Sequence, residues 1–371
     1  MSNTGYTVSD GTDLINIFQP YSSGTPAVTT NYKISSGADL NTVFKPYSSP
    51  STQAAATNYK ISGGADLNTV FQKKYVAPYT KSGTVTQLLY PDPITGPDYI
   101  IQFTGNGNIT FNVSIATVNY LVVGGGGGGK DGQFGISLAS GGGGGGGGGI
   151  NAGTFSSSSG NSYAITVVSS GGSANANGSS SSISSISAGG GSTPSGYYAG
   201  GGGGSGGFAN GGNGGAGTVT LGNPGNTPIV SPFFVTLTSI TFLYYVGNGG
   251  GAGGSAIDNG VFTSGYAGGA GGAGGAGGAG DGTGLVGSGG GGGGGGVGGA
   301  GGGDATVFNA GSGGLGGIQP NLMITYTPTP TPLLMSFGNG GGGGGGSLTF
   351  STGSAAAGSQ GVVVFYFTYY G

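Results

Sequence analysis

The sequence predicts a mainly β protein with packed polyglycine-II helices, preceded by an N-terminal arm of three short strand–turn–helix repeats. Three observations lead to this fold class. Glycine supplies 100 of the 371 residues and gathers in unbroken runs, whereas an average protein contains roughly 7% glycine. Stretches rich in β-branched and aromatic residues lead into several of these runs. A unit that begins with tyrosine recurs near the N-terminus.

The arm, residues 1–81, contains three copies of this unit, near residues 6–21, 32–47 and 59–75. Each copy is typical of a short strand, a turn at glycine and one or two helical turns. An aspartate suits the helix N-cap, and a leucine and a phenylalanine four residues apart fall on one helical face. One unit cannot bury this face alone, so it must pack on another unit or another chain. We therefore predict assembly contacts through Leu14, Phe18, Leu40, Phe44, Leu67 and Phe71.

Residues 82–371 are predicted to form one glycine-rich polyglycine-II and β domain. Six of the seven lysines precede residue 82, and this change in composition marks the domain boundary. Beyond it, a predicted apolar strand leads into glycine three times, at Thr117–Val123, Ile240–Val246 and Pro332–Phe337.

The glycine runs suit a helix with three residues per turn. Polyproline-II geometry has no internal hydrogen bonds, so every N–H and C=O points sideways, and only glycine lets several such helices approach closely enough to bond one another. The nine residues Gly141–Gly149 would make a helix roughly 28 Å long. In Ala267–Ala279 an alanine recurs at every third residue, which predicts one line of methyl groups on an outer wall of the bundle.

Other interpretations of the glycine runs remain open. A flexible linker fits poorly with an aromatic content of 10%, found mostly in strand-like stretches. Collagen needs proline-rich Gly-X-Y repeats, and the runs contain almost no proline. Stacked silk-like sheets would favour an alternation of period two.

The C-terminal run Val362–Tyr370 consists of β-forming residues without alternation. It predicts a strand buried on both faces. It also fits an exposed edge strand that pairs with a neighbouring subunit, in which case the contact residues would be Val363, Phe365 and Phe367.

The choice of polar residues argues against an enzyme. The chain contains no His, Cys, Glu, Arg or Trp, so general acid–base chemistry and most transition-metal sites lack their usual side chains. We predict no catalytic residue, no cofactor and no metal. A net charge of −3 also argues against binding nucleic acid, which requires a clustered cationic surface.

The N-terminal residues have no basic region and no apolar core, and so they do not predict a secretory signal peptide. The longest apolar stretch, Phe233–Val246, is too short for a membrane-spanning helix. We expect no membrane span, and a location outside the cell or on a virion surface.

Two motifs resemble known families. The step from Tyr120-Leu-Val-Val123 into polyglycine and the closing strand after Gly358-Ser-Gln-Gly361 resemble the glycine-rich domain of many bacterial and phage proteins. The Asp-Leu-Asn-Thr-Val-Phe sequence of the arm resembles repeats in glycine-rich proteins of giant DNA viruses. Packed polyglycine helices are similar to the tip adhesins of contractile-tailed phages and to small glycine-rich antifreeze proteins. None of these resemblances implies a catalytic residue.

These observations predict a structural subunit that self-assembles into an extracellular or virion-associated fibre or surface layer. Its partner would be a second copy of the chain, joined through the arm or the C-terminal strand. The alternative is a receptor-binding tip adhesin that displays loops on a polyglycine bundle and binds a host-surface receptor or glycan. The candidate loops are Ser192–Tyr198, with Tyr197 and Tyr198, and Asn223–Pro232. An ice-binding or matrix role is a further possibility.

Overall fold

The structure is a computed structural model, and the part of the chain that it describes begins at residue 78. The described ranges are 78–90, 98–135, 138–168, 170–218, 221–230, 233–236, 241–258, 263–272, 276–279, 289–290, 292–293, 295, 302–303, 305, 310–314, 333–346, 348 and 352–369. All of them belong to one compact unit, Lys74–Gly371. The three predicted N-terminal repeats lie outside the described residues.

Strands are the regular elements of the described residues, and no α-helix occurs among them. They are β1 (Tyr79–Tyr90), β2 (Asp98–Phe111), β3 (Ile115–Val123), β4 (Leu138–Ala139), β5 (Ile150–Ser157), β6 (Ser162–Thr166), β7 (Ser181–Ile183), β8 (Ile186–Ala188), β9 (Phe233–Thr236), β10 (Thr241–Val246), β11 (Ala256–Asp258), β12 (Thr263–Gly265), β13 (Leu333–Phe337) and β14 (Val362–Thr368). The predicted boundary between residues 81 and 82 falls inside β1.

The largest sheet has eight antiparallel strands. Seven of them follow the order β5-β3-β14-β2-β6-β7-β8, and β1 pairs with β2 outside this path. The sheet curls until β8, at one end of the order, contacts β5 at the other. Residues 206–209 lie at this junction, because Gly206 bridges to Ala188 and Ala209 bridges to Ile150. The result is a nearly closed antiparallel sheet.

Strand β14 lies between β2 and β3 and has hydrophobic cores on both faces. Successive side chains of a strand point to opposite faces. Accordingly, Val363, Phe365 and Phe367 belong to one core, while Val362 and Val364 belong to another. Two-sided burial explains why the sequence of this strand is apolar without alternation.

The first core collects side chains from strands all around the curled sheet, and aromatic rings dominate it. Tyr99 and Phe367 stack with ring centroids 5.1 Å apart. Phe365 meets Phe103 edge to face at 6.1 Å and Phe155 at 6.3 Å. Such pairs add about 0.5–1.5 kcal/mol each to the stabilisation from burial.

A second sheet, with the strand order β13-β10-β9, covers the other face of β14. Its buried side chains include Tyr244, Val246 and Phe337. Strands β10 and β13 are parallel and in register, with Val246 opposite Phe337. Each therefore leads into its glycine run at the same level. A third, small sheet has the order β12-β11-β4.

The mainly β prediction is confirmed for the described residues. Strands β3, β10 and β13 occupy the three segments predicted to lead into glycine, and β14 occupies the C-terminal run. The predicted helices of the arm lie outside the described ranges, and they stay a prediction.

Replacing Phe365 with alanine tests the role of β14. Phe365 is fully buried, and truncating a buried phenylalanine usually costs about 3–5 kcal/mol. We expect a loss of that size in the free energy of unfolding, measured by urea denaturation. Phe134 is 48% exposed, so Phe134→Ala serves as the control and should change stability by less than about 0.5 kcal/mol. Equal stability of the two variants would contradict the described packing.

Candidate functional site

The run Gly141–Gly149, here called the central run, is buried throughout and belongs to no strand. Seven of its N–H groups, those of Gly142 and Gly144–Gly149, donate to carbonyl groups of three other runs. Residues that are three apart in the central run donate to the same neighbouring run. Gly142, Gly145 and Gly148 donate to Gly344, Gly341 and Gly338 at 2.8, 2.8 and 2.6 Å, Gly144 and Gly147 donate to Gly215 and Gly212 at 2.9 Å each, and Gly146 and Gly149 donate to Ser192 and Gly189 at 3.0 and 2.8 Å.

The carbonyl groups of the central run follow the same rule with three further runs. Gly143, Gly146 and Gly149 accept from Lys130, Gly127 and Gly124 at 2.9, 2.8 and 3.0 Å, Gly142 and Gly145 accept from Gly253 and Gly250 at 2.8 Å each, and Gly144 and Gly147 accept from Gly201 and Gly204 at 2.9 and 2.8 Å. Three runs receive its N–H groups and three supply donors to its carbonyls, so six runs surround it.

Three other runs, residues 124–130, 247–254 and 338–346, are bonded in the same way, and all of their residues except Lys130 are buried. In the last of these, Gly341 and Gly344 donate to Gly127 and Lys130, Gly342 and Gly345 to Gly314 and Gly311, and Gly343 and Gly346 to Gly251 and Gly254. The four runs also bond to one another, and they form the interior of what we call the glycine array. Its three-residue period differs from the two-residue alternation of a β-strand.

Close packing explains why most interior positions are glycine. A Cβ atom added to Gly145 would lie 2.1 Å from the carbonyl oxygen of Gly127, and one added to Gly142 would lie 1.8 Å from that of Lys130. Ordinary contacts between heavy atoms are about 3.5–4.0 Å. Gly125 is an exception, because the nearest atom to its added Cβ would be the carbonyl oxygen of Ser179 at 3.5 Å.

Strands β10 and β13 enter the array through the same short motif, a glycine followed by an asparagine. Gly247 and Gly338 have φ angles of +66° and +68°, a region that favours glycine. The asparagines that follow are fully buried. The Oδ1 atom of Asn339 accepts from the backbone N of Asn248 at 3.0 Å and from its Nδ2 at 2.9 Å. This pair fixes the register of the two runs.

Polar side chains bond to the outermost glycine runs where a further run is lacking. The N–H of Gly203 donates to Asn213 Oδ1 at 2.9 Å, and the N–H of Gly202 donates to Ser192 Oγ at 2.7 Å. Asn210 Oδ1 accepts from the N–H of Gly206 at 3.3 Å. These side chains satisfy donors that would otherwise face solvent at an edge of the array.

Asp131 ties three segments together at the end of run 124–130. Its Oδ1 accepts from the N–H of Ala355 at 2.7 Å, and its Oδ2 accepts from Asn175 Nδ2 at 2.7 Å. Asn175 has a φ angle of +63° and also donates its N–H to Gly129 at 2.8 Å. Sequence reasoning did not single out Asp131, to which the structure gives a clamping role.

The alanine repeat lies on an outer run of the array. Ala270, Ala276 and Ala279 are exposed, whereas Gly269, Gly272 and Gly278 are buried. The spacing of three residues therefore puts these described alanines on the outside, as predicted.

The predicted assembly residues fall into two groups. Leu14, Phe18, Leu40, Phe44, Leu67 and Phe71 lie outside the described residues. Val363, Phe365 and Phe367 are 0%, 0% and 1% exposed in the first core. Both edges of β14 are paired within the chain, Val363–Thr368 with β2 and Val362–Tyr366 with β3, which agrees with the strand buried on both faces. An assembly contact through these three residues stays a prediction.

An open groove of about 610 Å³ lies at the rim of the array, and we call it the Phe208 groove. Residues 208–213 and 226–230 line it. Phe208 is 51% exposed, and Ile229 is fully exposed. The second segment lies within the predicted loop Asn223–Pro232. Sequence reasoning missed Phe208, although a single aromatic residue within Gly206-Gly-Phe-Ala-Asn-Gly-Gly212 was an available signal.

Backbone contacts hold both walls of the groove. The N–H groups of Phe208 and Ala209 donate to the carbonyl of Ile150 at 3.1 and 3.0 Å, and the N–H of Asn226 donates to the carbonyl of Asn213 at 2.9 Å. Ala209 and Val230 also pack against the second core. The groove is therefore built on the packed part of the molecule.

The other predicted loop, Ser192–Tyr198, presents one exposed aromatic side chain. Tyr198 is 52% exposed, and its hydroxyl accepts a hydrogen bond from Ser140 Oγ at 2.6 Å. Tyr197 is partly buried, and neither tyrosine lines the Phe208 groove.

Ionisable side chains do not gather into a site in the described ranges. No group of three or more His, Cys, Asp or Glu residues that could hold a metal ion occurs among the described residues. Burial raises the pKa of the Tyr366 hydroxyl above its usual value. No helix among the described residues is long and apolar enough to cross a membrane.

Comparisons with known proteins give no family. Models of known protein families do not match the sequence, and a search of curated proteins also finds no match. The function must therefore be argued from the array and its rim.

A pair of glycine-to-alanine changes tests the packing of the array. For Gly145→Ala the new methyl meets backbone atoms that are held by hydrogen bonds, so we expect a loss of about 3 kcal/mol, the upper part of the usual range for overpacking. The matched control is Gly125→Ala, at a buried position with room for the methyl. There we expect a change between zero and a gain of about 1 kcal/mol. Thermal and urea unfolding would measure both, and equal losses would contradict the lateral packing.

Replacing Asn339 with alanine tests the asparagine pair. The change removes the acceptor for two donors of Asn248, and a buried unsatisfied donor costs about 1–3 kcal/mol. We expect a loss of about 2–4 kcal/mol in the free energy of unfolding by urea. The exposed residue Asn161 provides the control variant Asn161→Ala, which should lose less than about 0.5 kcal/mol. A similarly small loss for Asn339→Ala would rule out the register role of the pair.

Proposed function

We propose that this protein is a non-catalytic structural subunit that self-assembles into a fibre or surface layer, outside the cell or on a virion. The observation that carries the proposal is the glycine array, in which four buried runs each bond laterally to six others. Because the residues of these runs are hydrogen-bonded to neighbouring runs, no residue can move without its neighbours. The array is therefore suited to a stiff body. Binding and assembly then depend on what surrounds that body.

In this proposal the runs of the array are polyglycine-II helices. The three-residue period of their hydrogen bonds supports the assignment, because polyproline-II geometry has three residues per turn and no internal hydrogen bonds. Among the described glycines, positive φ angles occur at Gly83, Gly160, Gly247 and Gly338. The negative φ of polyproline-II geometry is thus compatible with nearly all residues of the runs. A silk-like sheet would repeat every two residues instead.

Contacts between copies are proposed to come from the N-terminal arm. Side chains of Asn210, Asn213 and Ser192 bond to outer runs of the array, which disfavours growth by adding glycine runs at that edge. Strand β14 is paired on both sides. The arm, by contrast, carries a repeated leucine and phenylalanine pair whose unit is too small to bury them.

The arm hypothesis is tested in the full-length chain by replacing Phe18, Phe44 and Phe71 with serine. We expect loss of assembly in sedimentation velocity and negative-stain electron microscopy, because serine removes the proposed apolar contacts. Thermal unfolding of the glycine and β domain should be unchanged. A matched variant replaces the exposed residues Phe134, Leu138 and Leu221 with serine and should assemble normally. Normal assembly of the arm variant would refute this function for the arm.

A second candidate function is the display of a binding surface on the array, as in an adhesin. The specific observation that favours it is the Phe208 groove, an exposed aromatic and amide surface whose backbone is held by the array and the second core. The two functions are compatible, because assembled subunits would present many such grooves.

A further inference from the structure

The Phe208 groove is electrically neutral. None of the described residues that line it has an ionisable side chain, since they are Phe, Ala, Asn, Gly, Thr, Pro, Ile and Val. A charged ligand entering the groove would lose hydration without gaining a partner of opposite charge, which is unfavourable. The chemistry of the groove therefore favours a neutral ligand.

Its polar groups are amides with a defined orientation. Asn213 Oδ1 accepts from the N–H of Gly203 at 2.9 Å, and Asn210 Oδ1 accepts from that of Gly206 at 3.3 Å. Because both Oδ1 atoms are engaged by backbone N–H groups, the group that each of these side chains can offer to a ligand is its Nδ2 donor. Asn226 and Thr227 add an amide and a hydroxyl on the other wall.

The apolar part of the groove is small and aromatic. Phe208 offers an exposed ring, whose face carries partial negative charge and attracts the partly positive hydrogens of C–H groups. Ile229, on the other wall of the groove, adds a fully exposed aliphatic side chain. A ligand that matches the groove must carry C–H surfaces beside hydroxyl groups.

A protein partner fits the groove less well. Specific protein interfaces bury about 800 Å² on each side and are usually centred on Trp, Tyr or Arg anchors in pockets. The groove is open, has one aromatic ring and contains no Trp, Tyr or Arg. Its volume of about 610 Å³ falls in the range of small-ligand sites, about 300–1,000 Å³.

We propose that the Phe208 groove binds a neutral oligosaccharide, with a sugar ring stacked on Phe208 and its hydroxyl groups bonded to Asn210, Asn213, Asn226 and Thr227. This inference rests on the second proposed function, the display of a binding surface, and names its ligand class. Because the walls are held by backbone hydrogen bonds, little ordering is required when the sugar binds.

The test uses the full-length protein on an array of neutral hexasaccharides, namely those of cellulose, laminarin, amylose, chitin and mannan, with heparin hexasaccharide as the anionic comparison. Isothermal titration then measures affinity for any sugar that binds. We expect binding to at least one neutral hexasaccharide and none to heparin. Phe208→Ala should weaken binding at least tenfold. The matched control Phe134→Ala removes a ring of similar exposure, 48% against 51%, and should leave affinity unchanged.

The inference is overturned if no neutral hexasaccharide binds, if heparin binds as well as the neutral sugars, or if the two phenylalanine variants lose affinity equally. A second screen, against deglycosylated surface proteins, tests the display of a binding surface separately from the class of ligand. If the chain binds one of these proteins through Phe208 and binds no sugar, the proposed ligand class is wrong and the display function still stands. If it binds neither sugars nor proteins, the ligand class and the display function are both wrong. If Phe208→Ala instead abolishes assembly in electron microscopy, the groove is a contact between copies and the sugar is ruled out.

Discussion

The lateral hydrogen bond between the backbones of neighbouring glycine runs is the interaction on which the rest of the structure depends. It forms because nothing projects from the α-carbon, and an added Cβ would fall about 2 Å from a carbonyl oxygen at most interior positions. Each such bond stabilises the fold by only about 0.5–1.5 kcal/mol net, while ordering a residue's backbone costs about 1–2 kcal/mol. Glycine lies at the expensive end of that range. The array therefore cannot stand alone.

The β-sheets supply the missing stability. Strands β3, β10 and β13 run directly into interior runs of the array, and their apolar side chains fill two cores rich in aromatic residues. The array begins where the last core side chains, Val123, Val246 and Phe337, give way to glycine. Each of these three segments thus packs its side chains in a core at one end and forms backbone hydrogen bonds in the array at the other.

Much of this arrangement could be predicted from the sequence, and the reasons are local. Strands such as Tyr120-Leu-Val-Val123 stand out because β-forming residues end abruptly at glycine, and the alanines of Ala267–Ala279 reveal a three-residue period. The pairing of runs could not be predicted, because glycine carries no side chain that distinguishes one run from another. The central position of β14 could not be predicted either, because a strand buried on both faces and an exposed edge strand that pairs with another subunit have the same apolar composition.

The rim was the least predictable part. Phe208 and Ile229 line one groove because their segments are bonded to Ile150 and Asn213, and no spacing in the sequence encodes that arrangement. Asn210 and Asn213 do carry a signal that was overlooked. They are three residues apart, and both bond to outward-facing donors of a neighbouring run. In this chain the three-residue spacing of the two asparagines marks a run at the surface.

The three-residue period of the lateral hydrogen bonds constrains how an interior run can change in length. In the proposed polyglycine-II geometry, three added glycines complete one turn, so every later N–H group still faces the same neighbouring run. One or two added glycines would turn all later groups toward other runs, by about a third of a turn for each residue. An interior run can therefore change length and keep its lateral hydrogen bonds only in steps of three residues.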